Sequence, residues 1–194
     1  YMYSSNIATA KMALDAGPEL QQSFLKRLHL LEAVDIELLE IGTPHYPEKW
    51  RKINIVTVAY GHGIAVSALQ LASAVAAVSG DGIYRPPTLV QRRPDYEIAG
   101  ERVISEATSR KVQALMRLVV ERGTGRGADA KGYLVGGKTG TAEKIKNGRY
   151  SKKALLSSFV GVFPSDKPRY IVFVMLDEPK GTADTYGIAS GGWV

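Results

Sequence analysis

Two short segments of this 194-residue chain have residue types and spacing that could bind a nucleotide. The first ends in a lysine-threonine pair, and the second, further along the chain, ends in an acidic pair. Residues 132–139 read GYLVGGKT, which satisfies the phosphate-loop pattern G-x-x-x-x-G-K-[ST]. Residues 171–178 read IVFVMLDE, an apolar run with an acidic end that could hold magnesium beside a nucleotide. This pattern makes a P-loop ATPase one hypothesis for the chain.

The residues that follow Lys138 favour a strand and argue against a phosphate loop. Such a loop binds phosphate because a helix begins at its Lys-Thr and supplies aligned N–H donors. Here Gly140 and Thr141 follow at once, and both are poor residues for a helix interior. The short 164–168 connection also predicts that the strand ending at Asp177 is antiparallel to its neighbour, whereas nucleotide-binding sheets of this kind are parallel. The ATPase is therefore kept only as a remote alternative.

A second interpretation places the same lysine on an exposed strand edge. Residues 138–141 read KTGT, which matches the K-T-G box of penicillin-recognising serine enzymes, and residues 4–6 read SSN, which matches their S-x-N box. Each box alone is a weak signal, because Lys-Thr-Gly is often only a turn and Ser-Ser-Asn only a helix cap. Together, in this order and with a helical half between them, they favour acyl transfer through a serine ester.

With these boxes, the chain resembles the transpeptidase domain of class B penicillin-binding proteins, most closely the division-specific septal enzymes of the FtsI type. The resemblance covers nearly the whole chain and includes YGHG at 60–63, LQLA at 69–72, GDGIYRP at 80–86, GY at 132–133 and GGKTGTA at 136–142. Asn6 favours the division-specific type, because elongation-specific relatives tend to carry an acid there. The implied fold is α+β, the penicillin-binding/β-lactamase-like transpeptidase fold with a helical half plus an antiparallel sheet, and we expect it to be incomplete at both ends.

The resemblance implies catalytic roles for three residues. Ser4 would relay a proton to the leaving amine as part of general acid–base catalysis. Asn6 would dock the peptide backbone of the substrate through its amide, which has both donors and an acceptor. Lys138 would supply a positive charge for the terminal carboxylate of D-Ala or of a β-lactam.

Three further residues of the K-T-G box are implied to bind substrate. Thr139 and Thr141 would hydrogen-bond the carboxylate, and the N–H of Thr141 would be an oxyanion-hole donor. Gly140 would leave room for a substrate that adds itself to the strand edge as a further strand.

The nucleophile of such an enzyme lies in an S-x-x-K box that precedes S-x-N in chain order. Three residues precede Ser4, so the box has no room there. We therefore expect the nucleophile, its lysine and the C-terminal helix of the family to be absent from this chain, and the chain alone to be inactive. Residues 23–26 read SFLK and match the pattern, but they lie downstream of Ser4 on a predicted helix that buries Phe24 and Leu28, so we interpret them as unrelated to catalysis.

The implied activity is that of a fragment of a peptidoglycan D,D-transpeptidase that cross-links stem peptides at the division septum and is acylated by β-lactams. Implied partners are stem peptides ending in D-Ala-D-Ala, β-lactam antibiotics and divisome proteins including an FtsW-type glycosyltransferase. The implied location is the periplasmic face of the bacterial inner membrane, with an N-terminal transmembrane anchor outside this chain. A β-lactamase and a β-lactam sensor domain of the same fold remain open alternatives.

Composition excludes several other classes of function. Hydrophobic residues make up 45% and charged residues 23% of the chain, values typical of a folded domain. There is no cysteine, which excludes disulfides, thiolate metal sites and a cysteine nucleophile. The three histidines lie far apart, so neither a metal nor another cofactor is expected. The net charge of +6 fits anionic partners. The basic cluster at 144–153 has one interleaved aromatic residue, Tyr150, and we interpret it as the solvated outside of a hairpin. No nucleic-acid partner is therefore expected.

Local patterns predict the elements that position the boxes. One partial transpeptidase domain is expected over 1–194, with a helical part over about 1–122 and a sheet part over about 132–185. Predicted helices run from Ser4–Asn6 to Gly17-Pro18, along Leu20–Leu31, from Ser67 to Gly80 and from Ser105 to Gly123, with 41–63 irregular. Predicted strands cover 138–146, 155–163 and 169–176, and Asn147-Gly148 favours a hairpin turn.

Overall fold

The computed structural model describes residues 1–93, 95–96, 98–146 and 149–182, without the side chains of 145–146, 149 and 152–153. The chain divides into two compact units. We call Ser5–Ser109 the helical unit, and Tyr1–Ser4 together with the chain from Arg110 onward the sheet unit. Within the described residues, no helix has both the length and the apolar character needed to cross a membrane.

Four complete helices lie in the helical unit, and capping residues explain where two of them begin. They are α1 (Asn6–Ala16), α2 (Pro18–Arg27), α3 (Lys52–Ala59) and α4 (Ala68–Ser79). The Ser5 hydroxyl accepts from the N–H of Ala8 at 3.3 Å and caps α1. Ser67 and Gln70 form a reciprocal capping box at the start of α4. The predicted first and third helices are thereby confirmed.

The core of the helical unit lies between the end of α2, helix α4 and a two-stranded ladder. Strand β1 (Ile83–Tyr84) pairs antiparallel with β2 (Glu101–Arg102). The buried residues of the cluster are Leu28, Leu30, Ala74, Ala77, Tyr84 and Val103. Burying these side chains stabilises the unit through the hydrophobic effect.

Two predictions for the helical unit were wrong in part. Residues 41–63 are not all irregular, because α3 occupies Lys52–Ala59 and buries Ile55 and Val58. The prolines and glycines of this stretch flank the helix and do not lie inside it. The predicted second helix is also shorter than expected, since α2 ends at Arg27 and Leu31 lies beyond its cap at Leu28.

Helix α5 (Glu106–Arg122) leads into the sheet unit and agrees closely with the predicted fourth helix. The Ser105 hydroxyl accepts from the N–H of Thr108 at 3.2 Å near its start. Met116, Val119 and Val120 are buried, whereas Leu115 is 39% exposed. The face that α5 buries is therefore the one that carries Met116, Val119 and Val120.

An antiparallel sheet of three strands carries the K-T-G box. Strands β3 (Gly136–Lys146), β4 (Arg149–Phe163) and β5 (Tyr170–Asp177) lie in the order β3-β4-β5, which confirms the predicted antiparallel pairing. Residues 138–141 lie in β3, opposite residues 157–160 of β4. The Asn147-Gly148 turn lies outside the described residues. Lys138 is thus part of a strand, so the helix that a phosphate loop requires does not begin there.

Candidate active site

A hydrogen bond between Lys138 and Ser4 forms the centre of the candidate site. Lys138 Nζ donates to Ser4 Oγ at 2.7 Å and to the main-chain oxygen of Thr139 at 2.7 Å. Ser4 and Lys138 are 134 positions apart in sequence and both belong to the sheet unit. This contact is the one that a proton relay between these two side chains would need.

The segment that carries Ser4 is held against the loop that follows α5. A Cβ at Gly123 would lie 2.6 Å from the main-chain oxygen of Met2, so only glycine permits this approach. The N–H of Thr124 donates to the same Met2 oxygen at 3.4 Å, and the N–H of Ser4 donates to Tyr1 at 3.1 Å. Ser4 has a φ of 54°, a left-handed conformation that a non-glycine residue adopts only when its surroundings stabilise it.

Burial lowers the pKa of the Lys138 ammonium group, because desolvation disfavours its charged form. Its two close acceptors, the Ser4 hydroxyl and the Thr139 carbonyl, are neutral. A carboxylate bound beside Lys138 would supply an opposite charge and raise the pKa again. An anionic ligand at this position would therefore stabilise the charged form of Lys138.

The Thr139 hydroxyl lies next to the lysine and reaches a third segment of the sheet unit. Thr139 Oγ1 is 3.5 Å from Lys138 Nζ and 2.7 Å from the hydroxyl oxygen of Thr124. Thr124 is missing from the sequence-based site. The only signal in the sequence is the short Gly-Thr-Gly run at 123–125, inside a glycine-rich segment.

Gly140 and Thr141 continue along β3, one of the two outer strands of the three-stranded sheet. A Cβ at Gly140 would lie 2.6 Å from Ser158 Oγ on β4, so a contact inside the sheet also favours glycine here. Thr141 is exposed and lies opposite Ser157. The expected addition of a substrate strand at this edge stays a prediction.

The structure brings Ser4, Lys138 and Thr139 together, whereas Asn6 belongs to the helical unit. Asn6 is the first residue of α1 and its side chain is exposed. Its expected role in docking the substrate backbone stays a prediction. Ser23 lies on α2, where its hydroxyl donates to the main-chain oxygen of Leu20 at 3.0 Å.

The acidic end of β5 is engaged by a lysine of the basic cluster. Lys144 Nζ lies 2.7 Å from Asp177 Oδ1 and 3.1 Å from Glu178 Oε1. Hydrogen bonds to Asp177 and then Glu178 raise the pKa of Lys144. Lys144 is therefore part of an ion-pair cluster and not simply solvated, and Asp177, the acid that the ATPase hypothesis needed, is bound to it. Within the described residues, no group of three or more His, Cys, Asp or Glu side chains is arranged to hold a metal.

Comparison with protein families identifies the class to which this fold and site belong. The family model described as the penicillin binding protein transpeptidase domain matches residues 1–192. The chain therefore belongs to the penicillin-binding protein transpeptidase family.

Two curated relatives show the level of similarity. The chain is 39% identical over 203 residues to the probable peptidoglycan D,D-transpeptidase FtsI of Caulobacter vibrioides, covering 100% of the chain and 34% of that protein. It is 33% identical over 201 residues to the peptidoglycan D,D-transpeptidase FtsI of Escherichia coli, covering 97% of the chain and 34% of that protein. The chain thus spans about a third of the length of these relatives.

Solved structures of similar proteins agree with the α+β fold. The apo transpeptidase domain of Burkholderia pseudomallei penicillin-binding protein 3 has a TM-score of 0.87 and 35% identity, with 97% of this chain and 56% of that chain covered. Penicillin-binding protein 3 of Mycobacterium tuberculosis, complexed with aztreonam, has a TM-score of 0.88 and 28% identity, with 98% of this chain and 47% of that chain covered. These matches confirm the predicted transpeptidase fold.

Proposed function

We propose that this chain supplies the Ser4–Lys138 part of the acyl-transfer site of a peptidoglycan D,D-transpeptidase. The observation that carries the proposal is the 2.7 Å hydrogen bond between Lys138 Nζ and Ser4 Oγ, in a chain of the transpeptidase family. The substrate would be a stem peptide that ends in D-Ala-D-Ala. The nucleophile would be the serine of an S-x-x-K segment, expected ahead of Ser4 in the full-length protein.

In this reaction the serine oxygen attacks the carbonyl carbon of the D-Ala-D-Ala amide, and an oxygen–carbon bond replaces the carbon–nitrogen bond. The serine proton passes to its lysine base, Ser4 donates a proton to the leaving amine of D-Ala, and the proton held by that lysine later returns to Ser4. Because Ser4 Oγ accepts from Lys138, its own proton is free to point at that amine. The Lys138 ammonium group then stabilises the charge that develops on Ser4 Oγ. The amine of a second stem peptide finally attacks the ester carbonyl carbon, so that a carbon–nitrogen bond replaces the carbon–oxygen bond, and a proton of that amine returns to the serine oxygen.

Lys138 and Thr139 would also hold the terminal carboxylate of the substrate. The ammonium nitrogen and the Thr139 hydroxyl are 3.5 Å apart, so both can donate to one carboxylate group. The N–H of Thr141 would be an oxyanion-hole donor, and Asn6 would dock the substrate backbone. β-Lactams carry a comparable anionic group, and the similar Mycobacterium tuberculosis protein is described in complexes with aztreonam and ampicillin.

The septal role and the location belong to the same proposal. Similarity to two proteins named FtsI supports a function in division, at the periplasmic face of the inner membrane. In that setting the partners would be divisome proteins, including an FtsW-type glycosyltransferase. A β-lactamase and a sensor domain are the competing functions of the same fold.

Nitrocefin turnover tests the proposed function against both competitors. We expect the full-length protein to form one stable acyl adduct per molecule, with no steady-state hydrolysis, and to release D-Ala from a stem peptide. Absorbance and D-Ala release report the two reactions. Continuous hydrolysis would indicate a β-lactamase, and a stable adduct without D-Ala release would indicate a sensor.

A further inference from the structure

We propose that Thr124 is a positioning residue, which turns the Thr139 hydroxyl toward the carboxylate of the substrate. This inference rests on the proposed function, because it concerns how the K-T-G box binds its anionic ligand. It adds a residue from the loop after α5 to the site formed by Ser4, Lys138 and Thr139.

The Thr139 hydroxyl has a single proton, and the direction of that proton decides whether the group can donate to a carboxylate. Thr139 Oγ1 lies 2.7 Å from Thr124 Oγ1 and 3.5 Å from Lys138 Nζ. A lysine ammonium group can only donate, and a hydroxyl has one proton and two lone pairs. If Thr124 donates to Thr139 Oγ1, the Thr139 proton points away from Thr124, and the positive charge of Lys138 keeps that proton from pointing at the ammonium group. That proton is then available to a carboxylate.

The opposite hydrogen-bond direction would disfavour the ligand. If Thr139 donated to Thr124, a carboxylate arriving at Thr139 would meet an oxygen lone pair and be repelled. Binding of the anion therefore selects the arrangement in which Thr124 donates. Removing the Thr124 hydroxyl leaves the Thr139 hydroxyl free to rotate, and this freedom must be lost again when the ligand binds.

Main-chain contacts hold Thr124 in place independently of its hydroxyl. The N–H groups of Gly123 and Gly125 both donate to the main-chain oxygen of Val119, at 3.1 and 3.0 Å. The N–H of Thr124 donates to Met2. The Thr124 side chain itself is exposed, so its replacement should change binding without disturbing the packing of the loop.

The test compares Thr124→Val, which keeps the shape and removes the hydroxyl, with Thr124→Ser, which keeps the hydroxyl. In the full-length protein we expect Thr124→Val to weaken the reversible binding of benzylpenicillin about 2- to 12-fold, the effect of one hydrogen bond between neutral groups. The rate of acylation from the bound state should change less than about twofold, and Thr124→Ser should restore binding. Stopped-flow acylation kinetics separate these two quantities.

Three comparisons decide whether the effect passes through Thr139 and the carboxylate. Thr124→Val should have no effect on benzylpenicillin methyl ester, which lacks the carboxylate, and none in a Thr139→Val background. Thr108→Val is the matched control, because Thr108 is also exposed and its hydroxyl lies 2.9 Å from that of Ser105. Equal weakening for the ester, full weakening in the Thr139→Val background, or unchanged benzylpenicillin binding would each overturn the inference. Failure of the proposed function looks different, since the unmutated protein would then hydrolyse nitrocefin continuously or release no D-Ala from a stem peptide.

Discussion

Lys138→Met should slow the acylation of the full-length protein by benzylpenicillin about 10²- to 10³-fold. The substitution removes the ammonium group that contacts Ser4 Oγ and, in our account, also the positive charge that faces the carboxylate of the ligand. The contact with Ser4 is stronger in the transition state than in the bound ground state, because charge develops on Ser4 as the amine leaves, whereas the contact with the carboxylate strengthens binding. Labelling with a fluorescent penicillin over time measures the rate.

Lys144→Met is the control on the same strand. Lys144 pairs with Asp177 and Glu178, and its replacement should leave acylation unchanged. Lys138→Met should melt within about 5 °C of the unmutated protein, because it loses two hydrogen bonds but also removes a charge that burial disfavours. Normal labelling of a folded Lys138→Met protein would refute the role of Lys138.

Removing the Ser4 hydroxyl should slow acylation about 10²- to 10⁴-fold, the usual contribution of a positioned proton donor. Ser4→Gly is the most informative variant. Ser4 has a φ of 54°, which glycine adopts without strain, so this variant should be at least as stable as the unmutated protein while lacking the proton relay. A melting curve and the acylation rate together separate stability from catalysis.

The neighbouring serine provides the control for Ser4. Ser5 caps α1, so Ser5→Ala should lower the free energy of unfolding by about 1 kcal/mol while acylation continues. The two serines are adjacent in sequence, but only Ser4 Oγ accepts from Lys138 in our account of the site. If Ser4→Gly were acylated at the normal rate, Ser4 would be a turn residue without a catalytic role.

Short sequence patterns predicted the helix ends and the strand pairing that are formed by residues close together in the chain. The caps at Ser5 and Ser67 and the glycines after α1 and α4 predicted those helices, because a cap is formed by residues close in sequence. The 164–168 connection predicted the antiparallel pairing of β4 and β5 for the same reason. Helix α3 was missed because its apolar residues, Ile53, Ile55, Val56 and Val58, do not follow a clear helical period.

Sequence motifs predict some residues of the site, whereas others are brought to it only by the tertiary structure. Lys138 satisfies two motifs by letter, and its position in a strand agrees with the residues after it in deciding between them. Ser4 and Lys138 could be assigned from the resemblance, but Thr124 could not. Its contact with Thr139 joins a loop to a strand through a hydrogen bond that no short spacing in the sequence encodes.

Intact-mass measurement after incubation with benzylpenicillin tests the central claim most directly. The 194-residue chain should show no adduct, because Ser4 and Lys138 stabilise charge that an attacking serine must first create. The full-length protein should gain the mass of one penicillin, and peptide mapping should place it on the serine of an S-x-x-K segment ahead of Ser4. A covalent adduct on the 194-residue chain, whether on Ser4, Ser23 or another serine, would contradict the account.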